Sequence, residues 1–416
     1  MQRTTKFVKF LRAFGYEAVV VTGAENTSVN WAPLDPALSR ETGTDVEVLR
    51  AKGQEPLQTH LAARGRRLLG LRPSFDVWWR AEAASLAAQV VGNVDLVYAS
   101  MSPFGTASAA REVARGSAKP WVADLRDPWA LDEWTVYPTA LHRLLERARM
   151  HHDLQGADAI IMNTEEARRV FVASFPDLAS VRMAVIPNGW DYDDFDFPAD
   201  IPRTGSFRVV YTGFSHVEAG LKHRHRSRVR TALGGAVQGL DVLARSHVFM
   251  LEALRELRTT DPSLAQRTEL HIAGPAGLDR ADLASDLRVY AHGYLPHDEA
   301  VSLMQSADAL FLPMHDLPIG TRTRTVPGKT YEYLASGRPI LAALPDGDAR
   351  DLLAGQPNVW LCRPTDVAAM TAALREIANL PVPGPAFALV ERFERRQLAR
   401  QLANLFDEVL AEGDAR

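Results

Sequence analysis

The sequence predicts an α/β protein made of two parallel-sheet units, and three observations carry that prediction. Short apolar runs alternate with longer helical patterns along the whole chain. The runs fall into two series, divided by a polar, proline-marked stretch at 191–205. At 416 residues the chain exceeds what one ordinary hydrophobic core accommodates, so two domains are expected. In the first series the strands are expected at 17–22, 46–50, 95–100, 121–124, 158–162 and 182–187. In the second they are expected at 208–212, 269–273, 288–292, 309–312, 339–343 and 359–362. The segment 385–412 reads as mainly helical.

The start of the chain breaks the pattern. Phe7-Val-Lys-Phe-Leu-Arg-Ala-Phe-Gly15 is an amphipathic helix stopped by Gly15, and it leads straight into the strand at 17–22. In a doubly wound unit these are the first helix and the second strand. The first strand and its Gly-rich turn are therefore expected upstream of residue 1. A late start is preferred over truncation, or over another segment filling the gap.

Composition narrows the function classes. A net charge of -4 gives no electrostatic footprint for nucleic acid. Cys362 is the single cysteine, which excludes an internal disulfide and a multi-cysteine metal site in this chain. No apolar run reaches the roughly 18 residues of a membrane span, and no signal-peptide pattern opens the sequence. A cytoplasmic enzyme is the expectation.

The most informative segment is Val326-Pro-Gly-Lys-Thr-Tyr-Glu-Tyr-Leu-Ala-Ser-Gly-Arg-Pro-Ile340. It reads as a loop, a short helix stopped at Gly337, and a buried strand. A helix opening at Pro327 and Gly328 leaves the amides of Gly328, Lys329 and Thr330 without intrahelical partners. Those amides, the helix dipole and the Lys329 ammonium suit a phosphate group. Glu332 follows within about one turn, where a carboxylate can accept two hydroxyl hydrogen bonds from a ribose. A phosphate seat beside a diol clamp points to a nucleotide.

Other segments fall in a recognisable order: Val185-Ile-Pro-Asn-Gly-Trp190, Val209-Val-Tyr-Thr-Gly213, Leu270-His-Ile-Ala-Gly274, His292-Gly-Tyr-Leu-Pro296 and Ser306-Ala-Asp-Ala-Leu-Phe-Leu-Pro313. With the 326–340 segment, they make the chain resemble the retaining glycosyltransferases of family 4 (glycosyl transferases group 1) over nearly its whole length. The resemblance implies the GT-B fold, two Rossmann-like parallel-sheet domains facing a central cleft. Residues 1–190 would bind the acceptor and 206–394 the nucleotide sugar, with 191–205 as linker. A helix from about 395 to 416 would pack back on the first domain.

Site residues follow from the same resemblance. Glu332 matches the second glutamate of the family's pair and would hold the ribose. The first member falls on Arg324, a departure that puts the usual sugar recognition in question. Arg322 and Arg324 either face the diphosphate or are solvated loop arginines. Gly213 and Gly274 would line the cleft, and Gly293 and Tyr294 would hold the base. The family's arginine and lysine shortly after Gly213 are displaced by an insertion at 217–239. Its core, Lys222-His-Arg-His-Arg-Ser-Arg-Val-Arg230, puts the arginines at 224, 226, 228 and 230 on one face if extended. That run suits a diphosphate, an anionic acceptor, an acidic membrane surface or plain solvent. In the first domain, Asp124-Leu-Arg-Asp-Pro-Trp129 ends a strand, where doubly wound folds bind ligands. Asp127 would position the acceptor hydroxyl and Arg126 would orient it; the structural alternative is an Asp124–Arg126 pair bracing the loop.

The function implied is retaining, metal-independent transfer of a sugar from a nucleoside-diphosphate sugar to an acceptor hydroxyl, with Asp127, Arg126 and Lys329 as the catalytic set. The acceptor would be a polysaccharide, a glycolipid or a natural product. No cofactor is expected beyond the donor as co-substrate, and no metal. A peripheral contact at the inner face of the membrane is a further expectation. Two alternatives remain: a GT-B enzyme of other chemistry, such as an epimerase or a non-glycosidic coupling enzyme, and a non-catalytic nucleotide-sugar-binding protein.

Overall fold

A computed structural model describes residues 2–23, 41, 43, 45–53, 56, 59–195, 205–274, 287–381 and 387–414. Most of the expected linker, 196–204, therefore lies outside the described residues. The first lobe runs α1 (Gln2–Leu11), β1 (Val19–Thr22), β2 (Glu47–Arg50), α2 (His60–Leu68), α3 (Ser74–Ala88), β3 (Val97–Ser100), α4 (Gly105–Ser117), β4 (Trp121–Leu125), α5 (Ala140–Leu154), β5 (Ala159–Met162), α6 (Glu165–Ser174) and β6 (Arg182–Val185). The second runs β7 (Phe207–Thr212), α7 (Val217–Ala232), α8 (Val248–Thr260), β8 (Thr268–Ala273), β9 (Val289–Gly293), α9 (His297–Gln305), β10 (Ala309–Pro313), α10 (Lys329–Ser336), β11 (Ile340–Ala343), α11 (Asp348–Leu353), β12 (Val359–Cys362) and α12 (Val367–Ala378). The long helix α13 (Arg395–Asp414) closes the chain.

The second lobe is a six-stranded parallel sheet in the order β12-β11-β10-β7-β8-β9. Strand order reverses between β7 and β10, and a doubly wound sheet binds ligands at the carboxyl ends beside such a reversal. Every residue of β7, β8 and β10 is buried. The sheet lies between two apolar layers, one of them built on α8 and α12.

The first lobe departs from a single continuous sheet. Among the described residues β1 and β2 form a parallel pair, while β3-β4-β5-β6 form a separate parallel sheet of four. A further strand beside β3 stays an expectation. One face of the four-stranded sheet packs Ala123, Ile160 and Phe171. The other packs Phe7 and Phe10 of α1 with Leu398, Leu402 and Phe406 of α13, so the end of the chain completes the first lobe. Its crossing is tight. The Trp190 amide donates to Phe393 O at 3.1 Å and the Arg395 amide to Trp190 O at 2.8 Å. A Cβ on Gly189 would lie 2.1 Å from the Phe393 oxygen, so Gly189 permits the chain crossing.

The basic insertion also differs from the extended strand considered above. It is the helix α7, so arginines at every second position do not share a face.

Candidate functional site

The site forms at the carboxyl ends of β7, β8 and β9, where three glycines are joined in series. The Gly213 amide donates to Ala273 O at 2.7 Å, and the Gly274 amide to Gly293 O at 2.6 Å. At Gly213 and Gly274 φ is 117° and 128°, outside ordinary L-residue space. A Cβ on Gly274 would sit 2.3 Å from the Gly213 carbonyl oxygen. The strand ends therefore present a floor of bare backbone.

Lys329 reaches under this floor from the start of α10. Its Nζ donates to the Thr212 carbonyl and lies 3.9 Å from the centroid of the Tyr211 ring. Burial, reinforced by the Arg245 charge, lowers the amine to about 7. The helix tip is tighter than the sequence suggests. The Thr330 amide is already bonded to Pro327 O at 3.0 Å, so it does not join the phosphate seat; the tip amides are those of Gly328 and Lys329. The Thr330 hydroxyl is buried without a hydrogen-bond partner among the described residues.

Glu332 lies on the same short helix. It is 12% exposed and accepts no hydrogen bond among the described residues; the His297 ring nitrogen Nε2 stands 3.9 Å away. Burial raises its pKa against the pull of His297. His297 itself opens α9, three residues after Tyr294, and is hydrogen-bonded to Asp194 at 3.0 Å and to Gln2 at 2.8 Å. Burial disfavours its charge, but the Asp194 bond and the Glu332 carboxylate outweigh that and push it up to about 9. Tyr294 is exposed after β9.

Across the cleft stands the loop that follows β4. Arg126 and Asp127 are partly exposed and 3.6 Å apart. Asp124 is fully buried, and its partner is Arg3, at 2.7 and 3.0 Å, not Arg126. Five residues beyond Asp127 comes a pair that the sequence reading missed, Asp132 and Glu133, both buried. Glu133 accepts from the Thr323 hydroxyl, from the Arg324 amide at 3.2 Å and from His315 Nε2 at 3.2 Å. Burial opposes its charge, yet the His315 and Thr323 bonds bring it down to about 2. Burial keeps His315 neutral, so Nε2 carries the proton of that bond. Burial and the neighbouring Glu133 charge raise Asp132 well above the carboxylate range.

This seam corrects two expectations. The Arg324 guanidinium donates to Leu131 O and braces the first-lobe loop. Arg322 reaches Glu166 at 3.2 Å, Asp348 at 3.3 Å and Asp351 at 2.6 Å. Three carboxylates hold it at the joint between lobes, so it neither faces a diphosphate nor waves in solvent. Arg245 is the cation nearer the site. The His216 amide donates to Arg245 O at 3.3 Å, which closes the insertion at its base. The Arg245 guanidinium lies 5.2 Å from the centroid of the Trp134 ring, and its field depresses both Lys329 and His216. Arg245 lies six residues past the insertion and was not singled out from the sequence. Nothing local marks Asp132, Glu133 or His315, whose roles depend on the two lobes meeting.

One cluster of three carboxylates among the described residues, Glu41, Asp191 and Asp194, is close enough to share a cation. The Lys6 ammonium lies among them at 2.6, 2.6 and 2.8 Å.

Two parallel-sheet lobes, with a glycine floor and a lysine-headed helix at the switch of the second sheet, define a GT-B protein. Residues 3–194 match the Glycosyltransferase Family 4 model and residues 239–379 the Glycosyl transferases group 1 model. The chain belongs to the family 4, group 1 glycosyltransferases. It is 31% identical over 212 residues to a glycogen synthase of Mycobacterium tuberculosis, a match covering 50% of this chain and 42% of that protein. The chain thus matches under half the length of this relative. Among solved structures it is similar to Anabaena HepE, in complex with UDP and glucose, at a TM-score of 0.59 and 15% identity, covering 97% of this chain and 95% of that one. It is also similar to sucrose-phosphate synthase of Thermosynechococcus elongatus, at 0.57 and 14%, covering 98% and 92%. Trehalose 6-phosphate synthase of Burkholderia multivorans gives 0.56 and 14%, covering 96% and 99%. At these identities the structures speak for the fold alone.

Proposed function

We propose that the protein transfers a sugar, with retention and without a metal, from a nucleoside-diphosphate sugar to an acceptor hydroxyl. The observation that carries this reading is the placing of Lys329 and Glu332 on one helix beside the glycine floor of Gly213, Gly274 and Gly293. In this reading the diphosphate lies on the floor, against the Gly328 and Lys329 amides, with the Lys329 amine and Arg245 taking its charge. Glu332 accepts from the ribose hydroxyls, and Gly293 and Tyr294 face the base. These groups stabilise the departing diphosphate, and the donor phosphate takes the acceptor proton on the same face. Asp127 positions the acceptor hydroxyl, with Arg126 beside it; Asp132, protonated and buried in the same loop, supplies a hydrogen-bond donor. Closure of the lobes excludes water, which limits hydrolysis of the donor.

UDP, bound by Anabaena HepE, is the first nucleotide to try. A calorimetric panel of UDP, GDP, ADP and dTDP against wild type and Glu332→Ala tests the donor site. One diphosphate should bind wild type, and bind the variant about ten- to a hundredfold more weakly, as expected for lost hydrogen bonds to a charged group. Binding unchanged in the variant overturns the ribose assignment. Transfer from a labelled donor, with the anomeric configuration read by NMR, separates retaining transfer from epimerisation, coupling or binding without turnover.

A further inference from the structure

An apolar surface lies where α2, α5 and α7 meet. Leu69 just after α2 is 75% exposed, Leu141 and Leu144 on α5 are 62% and 59%, and Val229 on α7 is 65%. Single exposed leucines are ordinary, but these belong to one joined region. The end of α2 is tied to α5 by a hydrogen bond of 3.0 Å between His142 Nε2 and Leu68 O. The end of α7 is tied to it by the Ala140 amide, which donates to Leu233 O at 2.8 Å, and by Arg143, which reaches Gly235 O at 3.2 Å. Residues 60–72, 140–149 and 217–233 contain four, three and five arginines and lysines and two glutamates; Arg72, Arg149, Lys222 and Arg224 are paired with Asp153, Glu146, Glu218 and Asp241, and the remaining cations outnumber the carboxylates there. The protein as a whole carries a net charge of -4, so this region is a concentration of positive charge on an acidic chain.

We propose that this face docks on the headgroup surface of an anionic lipid bilayer. Exposed leucines framed by arginines match an interface that is apolar below and negatively charged above. A second copy of the chain fits poorly, because a two-fold contact would set these arginines against themselves. No described helix is long and apolar enough to cross a membrane, so the contact is peripheral. The surface is carried largely by α2 and α5; the insertion adds one flank of it. The first-lobe loop connects it to the cleft, since Tyr137 donates from its hydroxyl to Trp129 O at 3.3 Å and from its amide to Gly235 O at 2.8 Å. The proposal needs no substrate and stands apart from the transfer reaction.

The test is co-sedimentation of the full chain with vesicles of phosphatidylcholine, alone or mixed with phosphatidylglycerol, at low and high salt. Wild type should pellet with the mixed vesicles at low salt, and salt should release it. Leu69→Ser/Leu144→Ser and Arg64→Glu/Arg228→Glu should each weaken binding about tenfold or more, with unchanged circular dichroism and melting. A wild type that stays in the supernatant, or variants that pellet like wild type, overturns the proposal. So does a dimer in light scattering that the leucine variant dissolves while vesicles bind neither protein. The nucleotide panel, run on the same variants, reports separately on the donor site.

Discussion

At the scale of single residues the electrostatics converge on Lys329. Its amine is buried beneath Gly213 and beside the field of Arg245, which is why its proton is held only to about 7 against an ordinary 10.5. An arriving diphosphate restores the missing counter-charge, so the bound complex holds that proton more tightly than the free protein does. Affinity for the nucleotide sugar chosen by the panel should therefore be flat below pH 7. Above it, affinity should fall by up to about tenfold per unit until the bound amine itself titrates. The pyrophosphate diester has no group titrating in that range, so a calorimetric pH series reads the lysine, and Lys329→Met should flatten it. Asp132 gives a second expectation of this kind. Burial and Glu133 push its pKa upward, so Asp132→Asn, which keeps the shape and removes any buried charge, should leave melting close to wild type. Asp132→Ala, which removes the group, should lower turnover more than nucleotide affinity.

Elements were more legible in the sequence than the site was. Every strand expected from apolar runs and turn residues is present within about two residues; the central ones, β4, β5, β7, β8 and β10, are buried throughout and so write their burial directly into their composition. The helix stop at Gly337 is equally local. What could not be read locally were properties of two elements meeting. The basic run reads as extended or solvated in sequence, whereas it folds as α7 and is closed at its base by His216 and Arg245. Arg322 and Arg324 read as diphosphate-facing or solvated loop arginines because the first-lobe carboxylates they meet, Glu166 and Glu133, lie more than a hundred residues earlier, and Asp348 and Asp351, which also hold Arg322, come from a later helix. The glycine floor, by contrast, offers a prediction at this scale. Gly274→Ala forces a side chain against the Gly213 carbonyl in a left-handed backbone, which should cost about 1–3 kcal/mol. A lower melting temperature together with weakened nucleotide binding would bear this out.

Over the whole molecule, the two lobes are joined by titratable groups as well as by apolar packing. His297 of the second lobe holds Asp194 and, through Gln2, the first helix. Its value is raised from 6.5 to about 9 in the folded protein. The stability it contributes is therefore fully present below pH 6.5 and is lost as pH rises through 9. Melting temperature should decline over that window, and His297→Gln should remove the decline. The same architecture bears on biosynthesis. The first lobe's sheet is covered on one face by Phe7 and Phe10 of α1 and by Leu398, Leu402 and Phe406 of α13, and those last three leave the ribosome only after the entire second lobe. At about 5–20 residues per second, the early half of the chain waits roughly 10–40 s with that face uncovered. A nascent chain of this protein should thus be a chaperone client until its last helix emerges, and expression of residues 1–190 alone should yield aggregates.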